Sequence, residues 1–525
     1  MSLTTFMVFL DNTIVNTALP SIARDLNAST ATLQWVIDGY TLVLAGLLLL
    51  GGTVGDRFGR RRFLTLGMIV FGAASVGAAF SESSGTLIAF RGLQGIGAAF
   101  VLPATLSIVT DVFPRQERAK AIGIWTGAGG MAIAVGPLAG GFIVDQISWS
   151  AVFWMHLPVV LLALIGLRIV PESRDSRFLG LDLGGALLAT GGLLTLVFGI
   201  IQGNESGWGS TQIVGAFAVA GVLLSAFAVV ELRSRAPMLP MRFFRQRDFN
   251  GALVIIGLIF FSMMVTFFFL TQYFQIVQGK SAFTAGLYIL PVAGMMMVGA
   301  PTSGLLSRRV GPRVLVAAAV VAVVFGMAWL SQIDADTSYP IIAVGLLSFG
   351  FGGGMALTPL TDTVMAAVPV NDAGIGSAIN DVSRELGAAL GIAIVGSLVS
   401  NLYRSDVESG LEGLVPEAFA ETAGEGIGVA SVAAQSLPAE AAAAVLDIAN
   451  AAFIDAFTTG LLITAGVMGL AAVAALTLLP SRMRTNQADD ELADQASDRR
   501  IEFERTTVGG GAAAAPAAVR SNDTA

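Results

Sequence analysis

Fourteen stretches of roughly twenty mostly apolar residues follow one another along the chain, and nothing else constrains its fold as strongly. They lie at about 3–23, 34–54, 63–81, 87–110, 119–143, 151–170, 182–202, 211–231, 250–276, 284–306, 314–332, 339–366, 374–401 and 451–480. A helix of that length rises about 30 Å, the depth of the hydrocarbon core. Charged residues make up only 13% of the chain, whereas a soluble domain carries about 25%. No long segments of alternating polarity punctuated by turns appear, which argues against a membrane β-barrel. The expectation is an all-α integral membrane protein with fourteen spans.

The same sequence removes several chemistries. Cysteine is absent and His156 is the one histidine, which rules out disulfides, thiolate metal sites, cysteine nucleophiles and histidine metal clusters. A formal net charge of −8 argues against a nucleic-acid partner. The Gly279-Lys280-Ser281 triplet is not a phosphate-binding loop, because Phe274 stands where its first glycine belongs. No ATP site is visible, and no cofactor is expected. The first stretch reads as a span rather than a signal peptide: no Lys or Arg precedes Arg24, and Asp11 interrupts the apolar run.

Basic residues set the orientation. The turns after each even-numbered stretch hold Arg57 and Arg60–Arg62, then Arg115, Arg118 and Lys120, and later Arg308, Arg309 and Arg313, with further arginines in the other such turns. Those on the opposite side hold only Arg24, Lys280 and Arg404. That bias places both termini in the cytoplasm. Residues 404–450 then form an external segment, in which PAEAAAAVLDIANAAF leads as a helix into the last span. Residues 481–525 read as a disordered cytoplasmic tail.

Polar residues inside the spans are costly, and they usually face an aqueous cavity or a partner. Three clusters stand out. Asp11 lies near the middle of the first stretch beside Asn12 and Asn16. Gln34, Asp38 and Thr41 share an arc of about 60° on the second. Ser377, Asn380, Asp381, Arg384 and Glu385 form a polar arc on the thirteenth, where Arg384 can neutralise either acid and leaves the other without a partner. A carboxyl unpaired at low dielectric holds its proton more tightly than one in water. That suits a proton-coupled carrier, although the same group could attract a cationic substrate. The alternative is interhelical glue. Arg91, about 2.5–3.5 kcal/mol at a helix centre, either snorkels to the interface or pairs inside. His156 reads as a structural histidine before a proton relay. Trp35, Tyr40, Trp125, Tyr273 and the Met295–Met297 run, Met296 among them, could line a cavity for varied amphipathic cargo, or could be apolar filler.

Several motifs carry a resemblance that covers nearly all of the chain up to about 480. LDNTIVNTALP, GGTVGDRFGRRR, FRGLQGIGAA, AVGPLAGG, YFQIVQGKSAFTAGLYILP and SRELGAALGIAIVGS stand in order and at the depths found in the fourteen-helix drug:proton antiporter family of the major facilitator superfamily, which the chain resembles. Ala132 replaces the first glycine of the antiporter motif. Ser150 and His156 stand where many relatives have Arg and Asn. The resemblance implies two six-helix bundles, residues 1–170 and 250–480, with an inserted helix pair and its linkers at 171–249. It implies that Gly55, Asp56, Arg57, Gly59, Arg60 and Arg61 latch one conformation, with the two glycines making tight turns. It implies that Arg91 pairs with an interior acid, as Arg384 can in the thirteenth stretch. Gly136, Pro137, Gly140 and Gly141 would form a pliable, leak-limiting interface with a proline bend. Asp11, Asp38, Asp381 and Glu385 would bind protons or a cation, and Asn16, Gln34, Trp35, Tyr40, Tyr273 and Met296 would line the cavity. The expected function is export of amphipathic, cationic drugs in exchange for protons across the cell membrane. A dedicated exporter of one endogenous metabolite, an uptake symporter and a non-transporting sensor are the rivals.

Overall fold

The structure, a computed structural model, describes residues 1–26, 30–174, 183–234, 239, 241–369 and 372–481; the expected tail at 481–525 lies outside them beyond its first residue. Every one of the fourteen stretches is helical. They form α1 (Ser2–Asp25), α2 (Thr30–Phe58), α3 (Arg60–Ala79), α4 (Ser84–Val112), α5 (Arg115–Gln146), α6 (Ala151–Trp154) with α7 (His156–Gly166), α8 (Leu183–Ser206) and α9 (Thr211–Arg233). The second half contributes α10 (Arg247–Gln272), α11 (Ala282–Val310), α12 (Pro312–Leu330), α13 (Tyr339–Ala366) and α14 (Ala373–Leu411). Two short helices, α15 (Glu417–Gly424) and α16 (Ile427–Ala434), precede α17 (Ala439–Leu478).

Among the described residues, twelve helices are long and apolar enough to cross a bilayer. Helices α1 and α5 lie against each other, and α5 also packs along α11, so much of their surface meets protein rather than lipid. The most apolar turns of α9 have a mean hydropathy of 2.6 with 22% of the window buried, whereas those of α4 have 1.6 with 78% buried.

Short turns join the helices, and their chemistry repeats. At the end of the bundle that carries the arginines, Gly59 (φ 120°) turns α2 into α3 and Gly311 (φ 80°) turns α11 into α12. Left-handed backbone of this kind favours glycine. At the opposite end serines cap the helix starts: Ser83 accepts from the Thr86 amide, Ser210 from Ile213 and Ser281 from Thr284.

Three expectations change. Gly55 is not a turn residue: α2 runs unbroken through Gly55 and Asp56 to Phe58, because the turn needs only Gly59. The segment expected as an external loop at 404–450 is largely helical, built from the end of α14, from α15 and α16 and from the start of α17; Tyr403 ties it together by donating to the Ala423 carbonyl (3.1 Å). The sixth span is interrupted at Met155, directly before His156.

In the first half α1 packs on α5, and α4 on α2 and α3; in the second, α10 packs on α14 and α13 on α11 and α12. The halves meet where α5 lies on α11 and α2 on α14. The second contact is close backbone on backbone, for a Cβ on Gly52 would overlap the Gly374 carbonyl.

Candidate functional site

A ring of polar side chains, contributed by four helices, is buried in the first half. The Arg91 guanidinium on α4 donates to Asp11 Oδ2 on α1 (2.6 Å), to Gln94 Oε1 (2.9 Å) and to the Val36 carbonyl of α2 (3.0 Å). Gln94 Nε2 donates to Ser75 Oγ on α3 (3.2 Å), and Ser75 lies 2.9 Å from His156 Nδ1 on α7. His156 Nε2 returns to within 3.6 Å of Asp11 Oδ1. Tyr40 lays its ring under Arg91, 4.4 Å from the guanidinium carbon. Asp11, Arg91, Gln94, Ser75 and His156 are all at most 1% exposed. Such an arrangement persists in lipid because the charges are paired and hydrogen-bonded.

The second centre lies on α14. Arg384 Nη1 stands 3.6 Å from Asp381 Oδ1, and Nη2 donates to Thr361 Oγ1 of α13 (3.3 Å). The guanidinium is flanked by two aromatic faces, Trp125 of α5 at 4.9 Å and Phe260 of α10 at 5.3 Å. Glu385, the next residue, is half-buried and makes no hydrogen bond or ion pair among the described residues. Arg384, Trp125 and Phe260 also line a cavity between the halves, with Phe9 of α1 and Met296 of α11 on its walls. Its free volume is about 10 Å³, room for one water at most. A drug-sized molecule needs hundreds of Å³, so the helices must part to admit one.

At the arginine-bearing end the two halves are fastened. Asp56 Oδ2 accepts the backbone N–H groups of Gly374 (2.7 Å) and Ile375 (3.2 Å), the first turn of α14. An anion at a helix N-terminus meets unpaired N–H groups and the positive end of the helix dipole. Asp56 Oδ1 is held by Arg60 Nε (2.7 Å), whose Nη1 lies 3.6 Å from Asp111 of α4. The Arg61 amide donates to Glu172 (3.0 Å) and its side chain to the Val170 carbonyl (2.9 Å).

The expected residues sort unevenly. Asp11 and Arg91 come together across 80 positions of sequence, as do Asp56 and the start of α14. Asp38, Asn12, Asn16 and Gln34 lie on described helices, but their side chains are outside the described residues. Trp35 faces Phe198 of α8 (centroids 6.5 Å) rather than the cavity. Tyr273 opens a short π-helical turn and donates to the Asp334 carbonyl (2.6 Å), which ties it to the turn between α12 and α13. Tyr40 belongs to the Arg91 ring. Among the expected cavity residues whose side chains are described, Met296 and Trp125 line it. Gly136 and Gly140 serve close packing of α5 on α1: a Cβ at either would overlap Thr13 or Thr17. Gly141 faces α11 near Phe283, and the Pro137 side chain lies outside the described residues. Sequence reading missed Gln94 and Ser75; Gln94 stands three residues after Arg91, on the same helix face.

The profile of the Major Facilitator Superfamily matches residues 1–392. The chain is 35% identical over 481 residues to the "Multidrug efflux pump LfrA" of Mycolicibacterium smegmatis, covering 90% of this chain and 94% of that protein. It is 34% identical over 397 residues to the "Tetracenomycin C resistance and export protein" of Streptomyces glaucescens, covering 75% and 74%. Among solved structures it resembles the proton:xylose symporter XylE at a TM-score of 0.58 and 15% identity, over 92% of this chain and 95% of that one; that likeness concerns the fold.

Proposed function

The chain belongs to the Major Facilitator Superfamily, membrane transporters rather than enzymes, and on that premise we propose that it exports amphipathic cations in exchange for protons. Its relatives are multidrug efflux pumps and antibiotic exporters, and members of the family move small substrates, typically with coupled ions. The protein is a multi-pass membrane protein. In our reading both termini and the arginine-bearing turns are cytoplasmic. Residues 1–170 and 250–480 rock against each other about the central cavity, with 171–249 as an inserted pair. The latch at Asp56 then holds the cytoplasmic end shut in this conformation.

One observation carries the proposal: Glu385 makes no hydrogen bond or ion pair among the described residues, beside the Asp381–Arg384 pair. With both acids ionised the cluster has one net negative charge and attracts a cation. With both protonated, Arg384 is left uncompensated and repels it. Proton and cation therefore compete for one cluster, and competition is the logic of antiport, whereas an anionic cargo would reverse the sign. The two aromatic faces that hold the Arg384 guanidinium are surfaces on which a flat cation can stack.

A second reading, a dedicated exporter of one metabolite, is favoured by the relative named for tetracenomycin C. Inside-out vesicles acidified within and monitored with a pH-sensitive dye separate the two. Ethidium and tetraphenylphosphonium are expected to dissipate the gradient with the native protein, and to fail with Glu385→Gln and Asp381→Asn. Dissipation that survives both substitutions would refute the proposed coupling site. Silence towards every cation in the panel would leave the dedicated exporter ahead.

A further inference from the structure

The hydrogen bonds around His156 can be directed one by one. Arg91 only donates, so the oxygen end of the Gln94 amide faces it (2.9 Å) and the nitrogen end faces Ser75 (3.2 Å). Ser75 has one hydroxyl proton to give, either to the Phe153 carbonyl or to His156 Nδ1, both at 2.9 Å. Given to the carbonyl, it leaves Ser75 Oγ as the acceptor towards His156 and places the hydrogen of the neutral ring on Nδ1. In the neutral ring Nε2 then carries a bare lone pair. It faces Asp11 Oδ1 at 3.6 Å, and neither atom has a hydrogen-bond partner among the described residues. Two acceptors opposed in a dry site are costly, and one proton between them satisfies both.

We propose that Asp11 and His156 form a single shared proton site, occupied as an Nε2–H···Oδ1 bond from α7 to α1, which makes His156 a working part of the exchange. The inference rests on the proton-coupled reading above and deepens it. Around the pair stand Tyr40 from α2, Phe71 and Ser75 from α3, and Arg91 and Gln94 from α4. Arg91 already balances the Asp11 carboxylate, so the added proton gives the centre one net positive charge. The Tyr40 hydroxyl has no hydrogen-bond partner among the described residues. A charge-assisted bond closes to about 2.7–2.9 Å, which draws His156 towards α1.

Because the chain has one histidine, protein labelled with ¹⁵N-histidine and purified without a histidine tag gives a single pair of ring signals. Solid-state NMR in lipid bilayers, without substrate or gradient, would follow them between about pH 5 and pH 9. The expected alkaline form carries hydrogen on Nδ1 only, and acidification protonates Nε2. Asp11→Asn should shift that midpoint by a full pH unit or more. Hydrogen on Nε2 in the alkaline form, no titration in this range, or a midpoint unmoved by Asp11→Asn would each overturn the proposal. His156→Asn, with melting temperature as the folding control, should shift the pH profile of exchange; an unchanged profile would also overturn it. Since the titration needs no transport, failure of this site and failure of the exporter reading are separately visible.

Discussion

Asp11 and Asp381 are both buried acids beside an arginine on a membrane helix, yet their surroundings differ in kind. Asp11 is bound by Arg91 at 2.6 Å, and that guanidinium is further held by Gln94, a backbone carbonyl and the Tyr40 ring. Asp381 stands 3.6 Å from Arg384, with Asp381 Oδ2, Asn380 Oδ1 and Arg384 Nε lacking hydrogen-bond partners among the described residues. The first half anchors Arg91 with several bonds and leaves the facing Asp11 Oδ1 and His156 Nε2 open among the described residues, whereas the second holds Arg384 and both acids loosely at the wall of the cavity. A half-satisfied group at low dielectric is poised to change partners, so the two regions differ in how firmly the arginine is fixed.

Stability should show the contrast most strongly. Arg91→Leu strips Asp11 of its partner and is expected to cost about 3–5 kcal/mol. Arg384→Leu breaks a longer, poorer pair and should cost about 1–2 kcal/mol. Thermal melts in detergent check this, and equal losses would erase the distinction. Next in size is the fastening between the halves. Asp56→Asn weakens charge-assisted bonds worth about 1.5–3 kcal/mol, so the population open at the arginine-bearing end should rise at least about tenfold. As the chain has no cysteine, spin labels on Arg62→Cys and Pro369→Cys would report the distance directly; an unchanged distance distribution would remove the latch. The smallest effect belongs to the cavity. Trp125→Leu should weaken tetraphenylphosphonium binding by about 0.5–2 kcal/mol and leave a neutral compound of similar size nearly unaffected. Equal losses for both would mean that Trp125 packs rather than recognises charge.

Much of this was legible beforehand. Apolar stretches announce membrane helices because a bilayer admits few other solutions, and the acids at Asp11, Asp381 and Glu385 stand out because their burial is expensive. The Asp56 and Arg60 pair is close in sequence but spans the Gly59 turn between α2 and α3, so it comes from that turn rather than from the periodicity of one helix. Cavity lining was not legible. Trp35, Tyr40 and Tyr273 were plausible by type, yet they serve α8, the Arg91 ring and a turn, because the direction a side chain faces depends on how its helix is rotated against its neighbours. Gln94 and Ser75 were passed over because a neutral polar residue in a span costs less than a charge and signals less.

By itself, then, the sequence determined where the helices run, that they lie in a membrane, and which residues are too costly to be there without purpose. Those properties follow from short-range geometry and from transfer free energy, both of which act residue by residue. Only the tertiary structure decided that Arg91 serves Asp11, that Asp381 rather than Glu385 takes Arg384, and that His156 closes the ring. Such pairings join helices far apart in the chain, and helical periodicity carries no information about which face meets which.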